Sequence, residues 1–258
     1  MSSRVEMKQA ARAQRIAHEE ASRLAERRRR RLGWIGGGCL AAVAIAVVVA
    51  LAVGGGSSSA TGHPSGARDV AALYAGIPQH GTTLGSPRAP LTLTEFGDLQ
   101  CPFCGHYARD VLPTIVRRYV RTGKVRLDFK ILTFIGPDSD KAGRMTAAAA
   151  DQNKLWNFNE LFYRNQGEEN SGYVTDGFLR RIGAAIPGLD VSSALATRDS
   201  APVSSRLAAD SAQADRYGVQ STPSFLITRR GGQPQKFEPS QLDVGTFEAQ
   251  LDRELRAG

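Results

Sequence analysis

The sequence predicts an α/β fold built on a strand–helix–strand unit in the middle of the chain. Polar and apolar side chains alternate from Leu91 to Glu95, which is the two-residue period of a strand. A helix is predicted after Cys101, because apolar residues recur there every three to four positions: Tyr107, Val111, Leu112, Ile115, Val116 and Tyr119. A second strand is predicted from Val125 to Phe134. This order implies a right-handed crossover between parallel strands.

The positive charge of the chain is concentrated at its N-terminus. Residues 1–32 hold ten Arg and Lys against four Glu, whereas the remaining 226 residues carry a net charge of only +2. Residues 32–53 contain no charged side chain, and such a length spans an apolar bilayer core of about 30 Å. Because the Arg27–Arg31 run precedes this segment, we expect a cytoplasmic tail at 1–31, an uncleaved single-pass transmembrane anchor at 32–53 and an extracytoplasmic remainder.

The N-terminal region has alternative interpretations. The Arg27–Arg31 run in isolation also suits nucleic acid, but the apolar segment after it favours a membrane, and no nucleic-acid partner is expected. Ala50-Leu51-Ala52 has the small-x-small form of a signal-peptide cleavage site, although both the basic and the apolar regions are long for a signal peptide. Cys39 lies in the apolar segment, where a buried thiol is the default and lipidation is the alternative.

A linker and one domain follow the apolar segment. Residues 54–68 are rich in Gly and Ser, which is typical of a flexible linker, and the domain is expected at 69–258. It begins with a short helix at Asp69–Ala75. A turn-rich segment comes next, in which His80 is expected in a surface loop.

The helix after Cys101 should be kinked or divided at Pro113 and should end near Gly123. Between about 138 and 217 no strand pattern is evident, and such a length is too great for a simple connection. We expect an inserted helical subdomain, with helices at 140–166, 175–186 and 203–217. Its core should contain Phe158, Leu161 and Phe162, with Trp156 less clearly assigned.

The last part of the domain returns to strands. A strand led in by proline is predicted at 218–228, and a weaker partner strand is predicted around Lys236–Phe237 after the Gly231-Gly232 turn. A final helix presents Phe247, Leu251 and Leu255 on one side.

The Cys101-Pro102-Phe103-Cys104 motif lies where the first strand gives way to the helix. Free N–H groups and the positive end of the helix dipole favour a thiolate at such a position, and they lower a cysteine pKa from about 8.5 to roughly 3.5–7.5. The dipole alone supplies about 0.3–1 kcal/mol, so hydrogen bonds to the sulfur must supply the rest. Pro102 suits the first helical turn and Phe103 forms an apolar rim. We assign Cys101 as the reactive sulfur and Cys104, one turn behind it, as the resolving sulfur.

Two other interpretations of the motif remain open. It could be half of a zinc site, but tetrahedral zinc needs four ligands. The remaining candidates are few: Cys39, His18, His63, His80 and His106. It could also be an inert structural disulfide, which would add little stability when it closes so short a loop.

Two motifs and the insertion between them give a family resemblance. The first is Glu95-Phe-Gly-Asp-Leu-Gln-Cys101-Pro-Phe-Cys104 and the second is Ser221-Thr222-Pro223-Ser224-Phe225. Residues 69–258 resemble a membrane-anchored thiol–disulfide oxidoreductase of the DsbA family, which has a thioredoxin fold with a helical insertion. The expected fold class is therefore an α/β thioredoxin fold with an inserted helical subdomain, preceded by a single transmembrane helix.

The resemblance assigns supporting residues to the dithiol. It implies a cis Thr222–Pro223 peptide bond facing the cysteines across a substrate groove, with the Thr222 backbone free to pair with an extended substrate. A trans proline that merely begins a strand is the alternative. Glu95 matches the buried acid beneath the sulfurs, where burial raises its pKa and suits it to accept a proton from Cys104. Lys130, on the next strand, is either a partner of Glu95 or an exposed lysine.

The function implied by the resemblance is disulfide formation in exported proteins by a Cys101–Cys104 redox disulfide, without metal or organic cofactor. Reoxidation is expected from a quinone-linked membrane protein. The alternatives are a reductase or isomerase kept reduced, and a non-catalytic envelope module that binds peptides or metal. A strongly oxidising relative has histidine at the position of Phe103, so a milder oxidant is expected here.

Overall fold

The computed structural model of the protein describes residues 63–257, which belong to one compact unit of the chain. The predicted tail 1–31, the predicted anchor 32–53 and residues 54–62 of the predicted linker lie outside the described residues. Among residues 63–257, no helix combines the length and the apolar character needed to cross a membrane.

A six-stranded sheet forms the centre of this unit. Its strands are β1 (Gln79–His80), β2 (Thr83–Leu84), β3 (Leu91–Gly97), β4 (Val125–Ile131), β5 (Ser224–Arg229) and β6 (Gln235–Lys236). Their spatial order is β1-β2-β4-β3-β5-β6. The neighbours β3 and β4 are parallel, as the strand–helix–strand pattern predicted, and β5 runs antiparallel to β3.

Strand β3 is the central strand that carries the site. It pairs with a strand on each side and, apart from the partly buried Thr92, all of its residues are buried. Glu95 is thus an acid inside a strand covered on both faces, with only 4% of its surface exposed. Such a position removes water from the carboxyl group and favours its neutral form.

The helix after Cys101 is divided, as Pro113 predicted. Helix α2 (Pro102–His106) and helix α3 (Leu112–Ile115) are separated by a π-helical segment at Tyr107–Val111, and a second π-helical segment follows at Val116–Val120. A proline removes one backbone donor from the helix and its ring clashes with the carbonyl group four residues earlier, which interrupts the regular α-helical hydrogen bonding. Gly123, with φ of 74°, lies in the turn that ends the run.

The predicted insertion is helical throughout. Across residues 137–217 the helices are α4 (Pro137–Asp151), α5 (Leu155–Arg164), α6 (Asp176–Ala184), α7 (Val191–Thr197) and α8 (Ala201–Arg216). The predicted single helix at 140–166 is wrong, because Asn153 adopts φ of 58° and separates α4 from α5. Asparagine tolerates this left-handed conformation better than most residues.

Helix α7 was missed by the sequence reasoning. Its signal is Asp190, whose side chain caps the helix by accepting a hydrogen bond from the backbone N–H of Ser193. The predicted core residues Phe158, Leu161 and Phe162 are fully buried. Trp156 is also buried, because its indole N–H donates to the carbonyl oxygen of Thr82 and so leaves no unsatisfied polar group.

The remaining elements differ from prediction mainly at their ends. Helix α1 (Ala67–Tyr74) begins two residues before its expected start, and the C-terminal helix α9 (Val244–Arg256) buries Phe247 and Leu251. The strand predicted at 218–228 begins only at Ser224. The turn-rich segment before β3 contains β1 and β2, so His80 is exposed as predicted but belongs to a short strand.

Candidate active site

Cys101 caps the N-terminus of helix α2. Its backbone is extended, with φ of −65° and ψ of 120°, and Pro102 is the first residue of the helix, as predicted. The backbone N–H of Cys104 donates to the Cys101 sulfur at 3.5 Å. Cys101 is 5% exposed and Cys104 is fully buried, and both thiols are free in this structure. The reactive and the resolving sulfur therefore differ in access to solvent in the predicted sense.

The pKa of the Cys101 thiol is lowered to about 6. The largest cause is a hydrogen bond from the Cys104 thiol, which outweighs the opposing effect of burial. Hydrogen bonds from the Thr222 side chain and from the backbone N–H groups of Phe103 and Cys104 contribute in the same direction. Hydrogen bonds to the sulfur therefore lower the pKa of Cys101 despite its burial, in the direction that the sequence predicted.

The pKa of the Cys104 thiol is raised well above its ordinary value, chiefly by burial and then by the hydrogen bond it gives to Cys101. Burial also raises the pKa of Glu95 to about 8, with a smaller contribution from Glu160. The negative charge of Glu95 acts on Cys104. A carboxyl group with this pKa can release or take up a proton near neutral pH, which is the property that a proton-transfer partner of a buried thiol needs.

Lys130 is not the partner of Glu95. The register of β3 with β4 places Glu95 opposite Phe129 and Phe96 opposite Lys130, so the lysine lies on the other face of the sheet. Its Nζ lies 3.2 Å from Asp128 and 3.6 Å from Asp210, and its side chain is only 18% exposed. Both expectations for Lys130, partner of Glu95 or exposed lysine, are therefore wrong.

The Thr222–Pro223 peptide bond is cis, as the resemblance implied. The Cys101 thiol donates to the carbonyl oxygen of Thr222 at 3.2 Å, so this part of the Thr222 backbone is occupied while the thiol is protonated. A groove of about 330 Å³ opens beside this contact. Its lining is mixed: Phe103, Pro223, Phe237, Pro239 and Leu242 are apolar, whereas Thr222, Ser224, Lys236 and Glu238 are polar. Phe103 is 65% exposed and forms the apolar rim that the sequence predicted.

The structure adds residues that the sequence reasoning missed. The side-chain amide of Gln166 donates to the carbonyl oxygens of Leu99 and Cys101 at 2.8 and 3.1 Å, and so ties the active-site turn to the helical insertion. No sequence pattern marks Gln166. Glu160, by contrast, directly precedes the apolar residues Leu161 and Phe162 of the predicted core, and an acid at such a place is a signal that could have been used.

Metal-ligating side chains are not gathered in the described part of the chain. Among residues 63–257, no three His, Cys, Asp or Glu side chains lie close enough together to hold a metal ion. Of the predicted candidate ligands, three histidines fall in this range: His63, His80 and His106. The other two candidates, His18 and Cys39, lie outside it.

A thioredoxin-type sheet with a Cys-x-x-Cys pair at a helix N-terminus, opposite a cis proline, is the arrangement of a thiol–disulfide oxidoreductase. The acidities of the two thiols differ in the sense that disulfide exchange requires, because the sulfur nearer the groove, Cys101, is the one more readily present as a thiolate. The comparisons with known proteins agree with this class.

The family model described as Thioredoxin matches residues 79–241. The chain is similar to the probable disulfide bond formation protein D of Bacillus cereus, with 30% identity over 177 residues, which cover 67% of this chain and 78% of that protein. It is 27% identical over 150 residues to disulfide bond formation protein D of Bacillus subtilis, which cover 56% of this chain and 66% of that protein.

The crystal structure of oxidised BdbD from Bacillus subtilis has a similar fold, with a TM-score of 0.60 and 22% identity over 70% of this chain and 97% of that one. The chain therefore belongs to the thioredoxin family, as a DsbA-like thiol–disulfide oxidoreductase.

Proposed function

We propose that this protein introduces disulfides into exported proteins, with Cys101 and Cys104 as its catalytic pair. The observation that carries the proposal is the position of the Cys101 sulfur, which caps helix α2 and contacts Thr222 beside an open groove. The names of the Bacillus relatives, disulfide bond formation protein D, support the direction of the reaction.

The reaction transfers two electrons from a substrate dithiol to the Cys101–Cys104 disulfide. A substrate thiolate attacks Cys101 in the Cys101–Cys104 disulfide, and the electrons of the broken S–S bond leave with the Cys104 sulfur. A second substrate thiolate then attacks the mixed disulfide and releases Cys101 as a thiolate. The substrate gains a disulfide and the enzyme becomes a dithiol. The low pKa of Cys101 favours this release, because a more acidic thiol is a better leaving group.

The supporting residues have proposed roles as well. Glu95 exchanges a proton with Cys104, Pro102 begins the helix, and Phe103 and Pro223 form the apolar walls against which an extended substrate lies. The Thr222 carbonyl oxygen becomes available for pairing with the substrate backbone once the Cys101 proton is gone. No metal or organic cofactor takes part.

The location that we propose follows from the sequence. Residues 32–53 anchor the chain as a single transmembrane helix, the basic tail 1–31 lies in the cytoplasm and the domain faces outward, where disulfides persist. Reoxidation of the dithiol falls to a quinone-linked membrane protein. Fractionation of cells that produce the full chain, with protease added outside, tests this topology. We expect membrane association and protection of the N-terminal tail only.

Oxidation of reduced ribonuclease, followed together with insulin reduction, tests the activity. The full chain should oxidise ribonuclease, and the Cys101→Ser variant should not. A Cys104→Ala variant should accumulate mixed disulfides with exported proteins, because the resolving sulfur is missing. Retention of full activity by Cys101→Ser would overturn the proposal in favour of a binding module. A mostly reduced pair in cells would favour the reductase or isomerase instead.

A further inference from the structure

A small cavity lies beneath the active site, between β3, α1 and α5. Its volume is about 10 Å³, and most of its wall is apolar. Polar side chains also line it: Tyr74, Glu95, Asn159, Glu160 and Tyr163. A cavity needs about 10–15 Å³ of such volume, together with two to four polar partners, to hold a water molecule. This cavity has just enough volume for one water, and the polar side chains on its wall are the partners that such a water would need.

Three buried polar atoms of this lining have no hydrogen-bond partner among residues 63–257: the Tyr74 hydroxyl, Asn159 Nδ2 and Glu160 Oε2. The Asn159 amide is oriented by Thr146, whose hydroxyl donates to its oxygen at 3.0 Å and leaves the nitrogen free. An unsatisfied buried polar atom costs about 1–3 kcal/mol, so three around one cavity indicate a common partner. One water can accept from the Asn159 amide and, while Glu160 is protonated, from the Glu160 carboxyl group as well.

Glu160 differs from Glu95 in having a cationic neighbour. Its Oε1 accepts from Arg164 Nε at 2.8 Å, and the Arg164 side chain is 23% exposed whereas that of Glu160 is fully buried. Burial raises the pKa of Glu160 to about 7, against the opposing effect of Arg164. Negative charge is thus more easily held on Glu160 than on Glu95, which has no such partner among the causes that shift it.

We propose that Glu160 is a positioning residue of disulfide exchange, which acts by trading a proton with Glu95 through a water held between Tyr74, Asn159 and both carboxyl groups. The proposal rests on the proposed function, in which Glu95 serves Cys104. It extends the proton path from the active site into the helical insertion.

The proton balance of the step is as follows. When substrate attacks Cys101, the Cys101–Cys104 bond breaks and Cys104 leaves as a thiolate. The Glu95 carboxyl group gives its proton to Cys104 and becomes a carboxylate. The water donates a proton to Glu95 and takes one from Glu160, so the negative charge ends on Glu160 beside Arg164. The path runs in reverse when Cys104 loses its proton during reoxidation.

Other titratable and charged groups face the two carboxyl groups. They come from α1, from the helical run that begins at Cys101 and from α5: Tyr74, Cys101, Cys104, Tyr107, Arg109, Asp110, Tyr163 and Arg164. Arg109 and Asp110 affect Glu160 with opposite signs. Glu160 is not among the largest causes of the pKa shift of Cys101, so the Cys101 titration serves as a separate readout.

The test compares two variants of the full chain, Glu160→Gln and Tyr74→Phe, with wild type. Glu160→Gln removes the charge but keeps an oxygen for Arg164, and Tyr74→Phe removes one partner of the water but keeps both carboxyl groups. The matched control is Glu248→Gln, which removes a carboxylate that pairs with Arg118 at 2.7 Å on a distant part of the surface. Three quantities are measured: the Glu95 pKa by carbon NMR, the rate of reduction of the oxidised protein by a dithiol peptide against pH, and the Cys101 thiolate absorbance.

We expect Glu160→Gln to lower the Glu95 pKa and to displace the pH profile in the same direction. Both variants should slow reduction at neutral pH by about tenfold, a modest part of what general acid–base catalysis contributes. The Cys101 titration and the control should match wild type. Unchanged pH profiles in both variants, or a lowered Glu95 pKa with unchanged rates, would overturn the relay. Failure of the proposed function is detected separately, as absence of exchange in the wild-type chain.

Discussion

The Cys101 sulfur lies 3.2 Å from the carbonyl oxygen of Thr222, a residue 121 positions further along the chain. The antiparallel pairing of β3 with β5 creates this contact, because Phe96 lies opposite Ser224 at the same end of the sheet. The dithiol and the cis proline thus meet at one edge of the groove. A peptide laid along Thr222 would lie within reach of the reactive sulfur.

The Thr222 side chain is one source of the low Cys101 pKa, so Thr222→Val should raise that pKa. A single neutral hydrogen bond contributes about 1 kcal/mol, which corresponds to somewhat less than one pKa unit. Titration of thiolate absorbance in the reduced protein measures the change. Thr222→Ser, which keeps the hydroxyl, is the matched control and should behave like wild type. If the Cys101 pKa in Thr222→Val equals that in wild type, the backbone N–H groups and Cys104 account for the whole shift.

Phe103 cannot donate a hydrogen bond to the Cys101 thiolate, and this limits the oxidising strength of the pair. Phe103→His should make the protein a stronger oxidant, raising its reduction potential by about 30 mV, the equivalent of about 1.4 kcal/mol for two electrons. The side chain is 65% exposed, so the exchange should leave folding intact. Equilibration with glutathione measures the potential, and Phe103→Leu should leave it unchanged. A potential that does not rise in the histidine variant would contradict this account.

The buried Glu95 makes stability depend on pH. Its pKa of about 8 lies above that of an unfolded glutamate, so between the two values the folded chain holds a proton that the unfolded chain has lost. Stability should therefore fall as pH rises through this window and level off above the folded pKa. Relative to wild type, Glu95→Gln in the reduced state should gain about 3 kcal/mol between pH 5 and pH 8.

Urea unfolding of both proteins at several pH values measures this difference. Glu248→Gln is a suitable control, since Glu248 is paired with Arg118 on the surface and should not change the slope. Parallel stability curves for wild type and Glu95→Gln would mean that the Glu95 carboxyl group is not protonated in the folded protein at neutral pH.

Gln166 should stabilise the active-site turn, because its amide satisfies two backbone carbonyl oxygens there. Gln166→Ala leaves both without this donor, and we expect a loss of about 1–2 kcal/mol in the free energy of unfolding. Gln152→Ala is the matched control. Its amide also bonds to the backbone twice, both times to Asp190, but at an exposed site, so water can replace it at a cost of about 0.5 kcal/mol or less. Equal losses in the two variants would contradict the prediction.

Local patterns were enough to predict the strand–helix–strand unit and the place of the dithiol. The alternation in β3, the helical period after Cys101 and the proline at the first turn are each properties of neighbouring residues. The insertion was predicted as helical for the same reason. Its division at Asn153 was not, because a single residue in the left-handed conformation interrupts an otherwise continuous pattern.

The orientation of side chains on paired strands depended on the register, which sequence periodicity does not specify. Lys130 pairs in register with Phe96 and not with Glu95, so it lies on the opposite face of the sheet from Glu95. The partner that the structure provides, Glu160, comes from the insertion, 65 residues further along the chain. No short-range pattern links two such residues.

By itself the sequence determined that this protein has a reactive cysteine at a helix N-terminus, with a proline-led strand and a helical insertion to follow, because those features are encoded in local spacing. Only the tertiary structure decided which groups surround the sulfurs: Thr222 above Cys101, and the Glu95 and Glu160 carboxyl groups around a shared cavity. The physical reason is that proton affinities depend on burial and on neighbouring charges, and both arise only when distant parts of the chain pack together.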